Sequence, residues 1–353
     1  MIAGSLDFKV PAELEARRPP EARGIARDEV RLLVSDRVTG ALEHRSFREL
    51  PELLVPGDLL VVNDSATLPA ALPAHRDSGA ALALHLSARV ANSLWIVEPR
   101  GEATQGERLE LPAGGSAILL APVDPRAQRL WYARLDVRDP IEEYLHQHGA
   151  PIRYTYAEAE TSSLSDYQTI FARVPGSAEM PSAGHPFTRR LLDALAKRNV
   201  EIAAVTLHAG VSSAETHEPP QAEPFSITRA TADAVNTARR EQRRVIAVGT
   251  TVVRALESAV SGDEVVATER WSDLIVTPER GVHAVDGLLT GFHEPRASHL
   301  AMLAAFLSPD ALRAAYDAAL ASGYLWHEFG DMHAIFPSSH RGKATNFPSL
   351  DHL

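Results

Sequence analysis

Four consecutive apolar residues, Val245-Ile246-Ala247-Val248, followed by Gly249 and then Thr250-Thr251-Val252-Val253-Arg254-Ala255-Leu256-Glu257-Ser258-Ala259, constrain the fold more than any other stretch. A β-branched run without a polar interruption suits a strand buried on both faces, and such a sheet must be covered by helices on both sides. Gly249 ends the run, and Thr250 or Thr251 is placed to cap the helix that follows. The amides of that helix's first turn are expected to favour an anion. Arg254 and Glu257 lie three apart, close enough to pair with each other or to face one ligand together. The plain alternative is an ordinary strand-to-helix joint with an ion pair on its helix.

The same grammar recurs along the chain. Leu59-Leu60-Val61-Val62 ends at Asn63-Asp64, and a buried strand over residues 200–207 ends at His208-Ala209-Gly210. Helical spacing over 188–197, 230–240 and 252–259 alternates with these runs, which implies parallel βαβ units with ligands at the strands' carboxyl ends. Asn63, Asp64, His208, Gly249, Thr250 and Thr251 all fall there. From about residue 67 to 146 the character changes. Short strand-like runs at 82–89, 94–98, 117–121 and 130–136, separated by turns and lacking a helical period, suggest a small β-barrel or sandwich inserted into an α/β chain.

The expected organisation is therefore a mixed α/β main domain, discontinuous over residues 1–66 and 147–353, with a small β-barrel domain inserted at 67–146. A short helix is expected over 141–148. The loop at 175–187 is too polar to be core and of a length that tends to be functional. Beyond the central strand-helix joint, the spacing predicts a strand over 271–277, a strand running into a turn over 287–295, helices over 299–307 and 311–321, and a mobile polar tail at 338–353.

Composition removes several classes of function. The 353-residue chain contains no cysteine, which excludes disulfides, thiolate catalysis and cysteine-ligated zinc. No apolar run approaches the roughly 18 residues that span a bilayer, and the first residues have neither a basic nor an apolar segment of the kind that directs secretion. A cytoplasmic protein without a membrane partner is expected. A formal net charge of -11 argues against a broad basic surface, so any contact with RNA has to be local.

Several of these segments, in order along nearly the whole chain, resemble the S-adenosylmethionine:tRNA ribosyltransferase-isomerase family of queuosine biosynthesis. They are Arg31-Leu32-Leu33, Pro56-Gly57-Asp58-Leu59-Leu60-Val61-Val62-Asn63-Asp64, Tyr167-Gln168-Thr169, Val205-Thr206-Leu207-His208-Ala209-Gly210, the stretch from Arg244 to Ala259, Val285-Asp286-Gly287-Leu288-Leu289-Thr290 with Phe292-His293, and Gly330-Asp331. The resemblance implies a mixed α/β body with an inserted barrel. It also implies transfer and isomerisation of the ribosyl part of S-adenosyl-L-methionine, as substrate, onto a 7-aminomethyl-7-deazaguanine base in tRNA, forming epoxyqueuosine and releasing methionine and adenine.

The chain departs from the family pattern in its loops. Where the family usually carries Thr-Arg-Val-x-Pro-Ala-Arg-Leu, this chain has Ser65-Ala66-Thr67-Leu68-Pro69-Ala70-Ala71-Leu72, without either arginine. The histidine of the family's Pro-Thr-Ala-Gly-Leu-His-Phe is displaced by one place in Pro181-Ser182-Ala183-Gly184-His185-Pro186-Phe187, and the segment that carries His-x-x-His-x-Glu has no histidine between Pro219 and Ser226.

Such a reaction needs a base near C5′, whose proton the adjacent sulfonium acidifies, a donor at the departing adenine and a partner for the methionine carboxylate. His208 and His293 are the candidate base and acid, with Asp331 as the orienting carboxylate or an amine contact. Asn63, Asp64, Gly249, Thr250, Thr251 and Arg254 are the candidate binding set, with Glu257 holding Arg254. Two alternatives remain open in the sequence: the same fold serving a small-molecule acceptor or binding without catalysis, and a divalent-metal hydrolase built on His293, Glu294, His299, His327, Glu328, Asp331 and His333. No recognised metal-ligand spacing supports the latter, and no metal is expected.

Overall fold

A computed structural model describes residues 6–154, 163–211, 221–295 and 297–337; the tail at 338–353 lies outside them. The body opens with the hairpin β1 (Arg31–Asp36) and β2 (Leu42–Ser46), after which helix α1 (Leu50–Leu53) leads into β3 (Leu59–Asn63) and the short β4 (Ser65–Thr67). Six strands of the insertion follow: β5 (Ala71–Arg76), β6 (Ala81–Arg89), β7 (Leu94–Pro99), β8 (Arg108–Glu110), β9 (Ser116–Asp124) and β10 (Ala127–Asp136). Helix α2 (Ile141–His148), β11 (Val174–Ser177), α3 (Arg189–Lys197), β12 (Glu201–Leu207), β13 (Glu223–Ile227) and α4 (Arg229–Arg240) bring the chain back to the body. The rest comprises β14 (Val245–Val248), α5 (Thr250–Ser258), the pair β15 (Val260–Ser261) and β16 (Glu264–Val265), β17 (Thr268–Ser272), β18 (Gly287–Gly291), α6 (Ser298–Leu303), α7 (Pro309–Ala321) and β19 (Met332–Phe336).

Nine strands form one sheet in the order β17-β13-β12-β3-β14-β18-β19-β1-β2. Its centre is parallel, β3 pairing in the same direction with β12 and β14, and β14 with β18. The central strands are apolar throughout because both faces are covered. Leu59, Val61, Val245 and Ala247 enter the core beneath α4 and α5, whereas Leu60, Val62, Ile246 and Val248 pack with Leu50, Phe187, Leu191 and Leu195 on the opposite side. One buried ion pair, Arg244 with Asp58, joins the turn before β3 to the start of β14.

The insertion closes on itself as a barrel in the order β10-β7-β6-β5-β8-β9. Leu84, Leu86, Trp95, Val97, Leu119, Trp131 and Ala133 fill it, and Ile141, Tyr144 and Leu145 of α2 join the same core. A mixed α/β body with an inserted β-barrel is thus the fold. Strands β4, β5, β8, β11, β13, β15, β16 and β19 have no counterpart in the sequence expectation, most of them being too short or too polar to stand out. The strand expected over 271–277 lies instead at Thr268–Ser272, where pairing with β13 fixes its register.

Candidate active site

Parallel strands β3, β12, β14 and β18 end on one edge of the sheet, and because β19 and β1 run the other way, Asp331 and Arg31 stand at that edge too. Open α/β sheets collect ligands at this edge. Among the candidates the most developed arrangement surrounds His208, one residue past β12. Its Nδ1 lies 2.7 Å from Ser65 Oγ, and Ser65 Oγ lies 2.6 Å from Ser177 Oγ. Ser177 Oγ in turn accepts the Ala209 amide at 3.0 Å. The two serines come from the paired strands β4 and β11, whose parallel register sets Ser177 beside Thr67.

Gly176 makes the approach possible. A Cβ at that position would stand 2.5 Å from the His208 ring, closer than any side chain tolerates. Among the described residues no group bonds His208 Nε2, so the ring is held at one nitrogen and open at the other. Burial lowers the imidazole below its ordinary 6.5, and the Asp64 carboxylate opposes the shift. His208 is therefore neutral near pH 7. Reversing the two serine hydroxyls moves the ring between tautomers, so that Nε2 presents either a lone pair or an N–H.

Gly249 sits beside this relay at the joint of β14 and α5. Its φ of +103° and ψ of 150° belong to a region that only glycine occupies without strain. Neither Thr250 nor Thr251 caps the helix, contrary to expectation: Gly249 is itself the N-cap, and its carbonyl accepts the amides of Val252 and Val253. The amides of Thr250 and Thr251, ahead of the first intrahelical bond, are left for an external acceptor. The loop at 175–187 lies over this joint, a Cβ on Gly249 standing 3.4 Å from the Ala183 Cβ.

His293 follows β18 and bonds Thr290 Oγ1 through Nε2 at 2.8 Å. Its ring stacks on His299, centroids 4.6 Å apart and planes 10° from parallel. Burial, then His299 and His333, hold His293 well below 6.5. Strands β3 and β14 separate β12 from β18, so three spacings of about 4.8 Å keep the His208 and His293 strands about 14 Å apart. The two imidazoles flank the Gly249 joint and do not form a pair.

The remaining candidates bond to the fold around them. Asp331 accepts the Arg31 amide at 2.7 Å, the Arg31 guanidinium at 3.1 and 3.2 Å and the Leu325 amide at 2.8 Å, which corrects its expected role as a carboxylate orienting a histidine. Arg254 and Glu257 do not hold each other. Arg254 is buried against Glu223 and the carbonyls of Gln221, Ser272 and Leu274. Glu257 binds Arg280 and the amides of His283 and Ala284, each at 2.7 Å. Side chains three apart on one helix diverge here because each meets a different neighbouring segment. Asn63 bonds the Leu207 amide and carbonyl, the Ser65 amide and Thr251 Oγ1, thereby tying β3 to β12 and α5. Asp64 accepts Thr206 Oγ1 at 2.6 Å.

Sequence reasoning did not find Ser65, Gly176 or Ser177. The available signal was the Val-Pro-Gly-Ser start of the long loop, where glycine and serine replace bulk. Nor do the imidazoles and carboxylates of the metal alternative converge. His333 bonds Ser35, His327 lies 3.3 Å from Glu294, and among the described residues no three such groups stand together as a metal site would require.

An α/β sheet with its polar candidates gathered at one edge and a β-barrel inserted in the chain is the class that this geometry defines. Residues 3–335 match the family described as "Queuosine biosynthesis protein". The chain is 36% identical over 345 residues to the S-adenosylmethionine:tRNA ribosyltransferase-isomerase of Symbiobacterium thermophilum, covering 94% of this chain and 98% of the relative. It is 36% identical over 342 residues to the protein of that name from Thermus thermophilus, covering 92% and 96%. The crystal structure of the S-adenosylmethionine tRNA ribosyltransferase of Thermotoga maritima superposes with a TM-score of 0.53 at 30% identity, over 94% of this chain and 99% of that one. The chain belongs to this queuosine biosynthesis family of transferase-isomerase enzymes. Among the described residues no helix is long and apolar enough to cross a membrane.

Proposed function

We propose that the chain transfers and isomerises the ribosyl part of S-adenosyl-L-methionine onto a 7-aminomethyl-7-deazaguanine base in tRNA, forming epoxyqueuosine and releasing adenine and methionine. The observation that carries the reading is the Ser177-Ser65-His208 relay, which leaves a neutral imidazole with one open nitrogen at the edge of the sheet. His208 Nε2 takes the C5′ proton, which the adjacent sulfonium acidifies. Ser65 holds the ring in register, and Asp64 favours the imidazolium that forms.

The open amides of Thr250 and Thr251 suit the methionine carboxylate, since the first turn of a helix carries partial positive charge. His293, held by Thr290, stands across the Gly249 joint as the donor to departing adenine. Arg254 takes no part, its donors being spent on Glu223 and three carbonyls.

Incubation with S-adenosylmethionine and tRNA bearing the precursor base, followed by mass spectrometry, tests the reading. Release of adenine and methionine only with that tRNA is the expected result. Absence of both, with S-adenosylmethionine still binding in calorimetry, would move the assignment to a different acceptor, the reading that the missing arginines at positions 66 and 71 would then support.

A further inference from the structure

The three segments that build the His208 relay all run on into the barrel. Ser65 is followed by Leu68, Ser177 by Ala178 and His208 by Val211, and Leu68, Ala178 and Val211 belong to the apolar cluster that fills the barrel. The Leu68 amide bonds the Ser177 carbonyl at 2.8 Å, so two of these crossings are tied together. The third is held by a polar contact from the barrel wall, where the Val211 amide donates to Ser87 Oγ of β6 at 2.9 Å.

Strand β6 leaves its regular ladder at this contact. Leu86 stands opposite Val97 of β7 and Ala88 opposite Ile96, so two steps along β6 meet one step along β7, and Ser87 is the extra residue of a β-bulge. The packing shows the consequence. Leu84 and Leu86 point into the barrel, and strict alternation would send Ala88 there too, yet Ala88 packs with Ile96 and Leu130 in a separate cluster. The partner segment is shaped to match. A Cβ on Gly210 would stand 2.7 Å from Ser87 Oγ, closer than a side chain tolerates.

Four successive amides from His208 to Val211 are fixed in this way. The His208 amide donates to the Pro224 carbonyl at 3.0 Å, the Ala209 amide to Ser177 Oγ at 3.0 Å and the Gly210 amide to Glu223 Oε1 at 2.9 Å; Ser87 takes the fourth. Val211 and Ser87 are both buried. Without the hydroxyl, the Val211 amide has no acceptor in an apolar surrounding, a cost that the segment relieves by moving.

We infer that Ser87 is a positioning residue for His208, and that the inserted barrel seats the imidazole by gripping the chain three residues beyond it. As an effect on turnover this rests on the proposed reaction; as an effect on the ring it does not.

Two measurements separate those levels. NMR titration of the His208 imidazole in the full chain, without substrate, reads the ring, on which burial acts first and the Asp64 carboxylate opposes it. In Ser87→Ala the apparent pKa is expected to rise toward 6.5 as the segment loosens. Turnover with S-adenosylmethionine and tRNA bearing the precursor base is expected to fall by up to about 10²-fold at unchanged S-adenosylmethionine affinity. Gly210→Ala should act likewise from the other side of the contact, and should cost much less turnover in the Ser87→Ala background, where no hydroxyl is left to clash. A wild-type His208 titration in whichever of the two single variants folds would overturn the inference, as would wild-type turnover in Ser87→Ala or additive losses in the double variant. Absence of turnover in the wild-type chain, with the titration moved in Ser87→Ala, would overturn the proposed reaction and leave the seating of the ring standing.

Discussion

His208 and Asp331 stand on the same edge of one sheet and differ in what the fold leaves them. Three hydroxyl and amide groups in series fix His208 through a single nitrogen, and the other nitrogen stays open. Both oxygens of Asp331 are engaged, Oδ1 by the Arg31 amide and Oδ2 by the Arg31 guanidinium and the Leu325 amide. Arg254 and Glu257 belong with Asp331, each buried among partners that come from distant segments. Burial and charge therefore do not tell these two kinds of residue apart. Spare hydrogen-bonding capacity does.

The sharpest way to break the comparison is to remove one group of each kind. His208→Gln is expected to lower turnover by about 10²–10⁴-fold, the usual contribution of a positioned base, while leaving thermal stability and S-adenosylmethionine affinity near the wild-type values. Arg254→Ala should do the reverse. It strands Glu223, whose carboxyl burial already pushes upward and which Arg254 restrains, and the expected cost is about 3–5 kcal/mol in urea unfolding. A selective loss of S-adenosylmethionine affinity in a stable Arg254→Ala protein would instead restore Arg254 to the binding site.

Gly176→Ala probes the relay without replacing a polar group. The added Cβ must displace the His208 ring, and turnover is expected to fall about 10²-fold with little change in stability. Smallest in amplitude is the pH response. A base whose pKa lies below 6.5 makes kcat/KM rise with pH through a half-maximal point below pH 6.5, so activity should be flat from about pH 7.5 upward. Asp64→Asn removes the charge that raises this pKa, so the acid limb should move further down. An upward move would place the titration on another group.

Stability carries its own pH dependence. Burial depresses His185 and His333 to about 3, far below the 6.5 of an unfolded chain. A depressed pKa stabilises the fold above the unfolded value and loses that stability as pH falls. Unfolding midpoints should therefore drop progressively between about pH 6.5 and 3, and His333→Gln should flatten the drop.

Much of this was legible in the residues. Apolar runs at Leu59–Val62 and Val245–Val248 announced strands covered on both faces, and the even spacing of short strands after residue 80 announced the barrel. Reading which polar residues remain open was harder. Helical spacing brings Arg254 and Glu257 to one side of α5, yet their partners Glu223 and Arg280 are 31 and 23 positions away, and only tertiary packing decides between them. Ser65 and Ser177 are 112 positions apart and meet only because β4 pairs with β11. Gly176 and Ser177 stand at the start of the long loop that the sequence singled out, and only the fold shows that Gly176 lies against the His208 ring.

The central claim is that His208 Nε2 removes the C5′ proton of S-adenosylmethionine. S-adenosylmethionine deuterated at C5′, incubated with the enzyme and tRNA bearing the precursor base in ordinary water, measures that step directly. The wild-type chain should release deuterium to solvent or show a primary isotope effect on adenine release, and His208→Gln should lose both. Deuterium release by His208→Gln at the wild-type rate would contradict the account and assign the proton to another group.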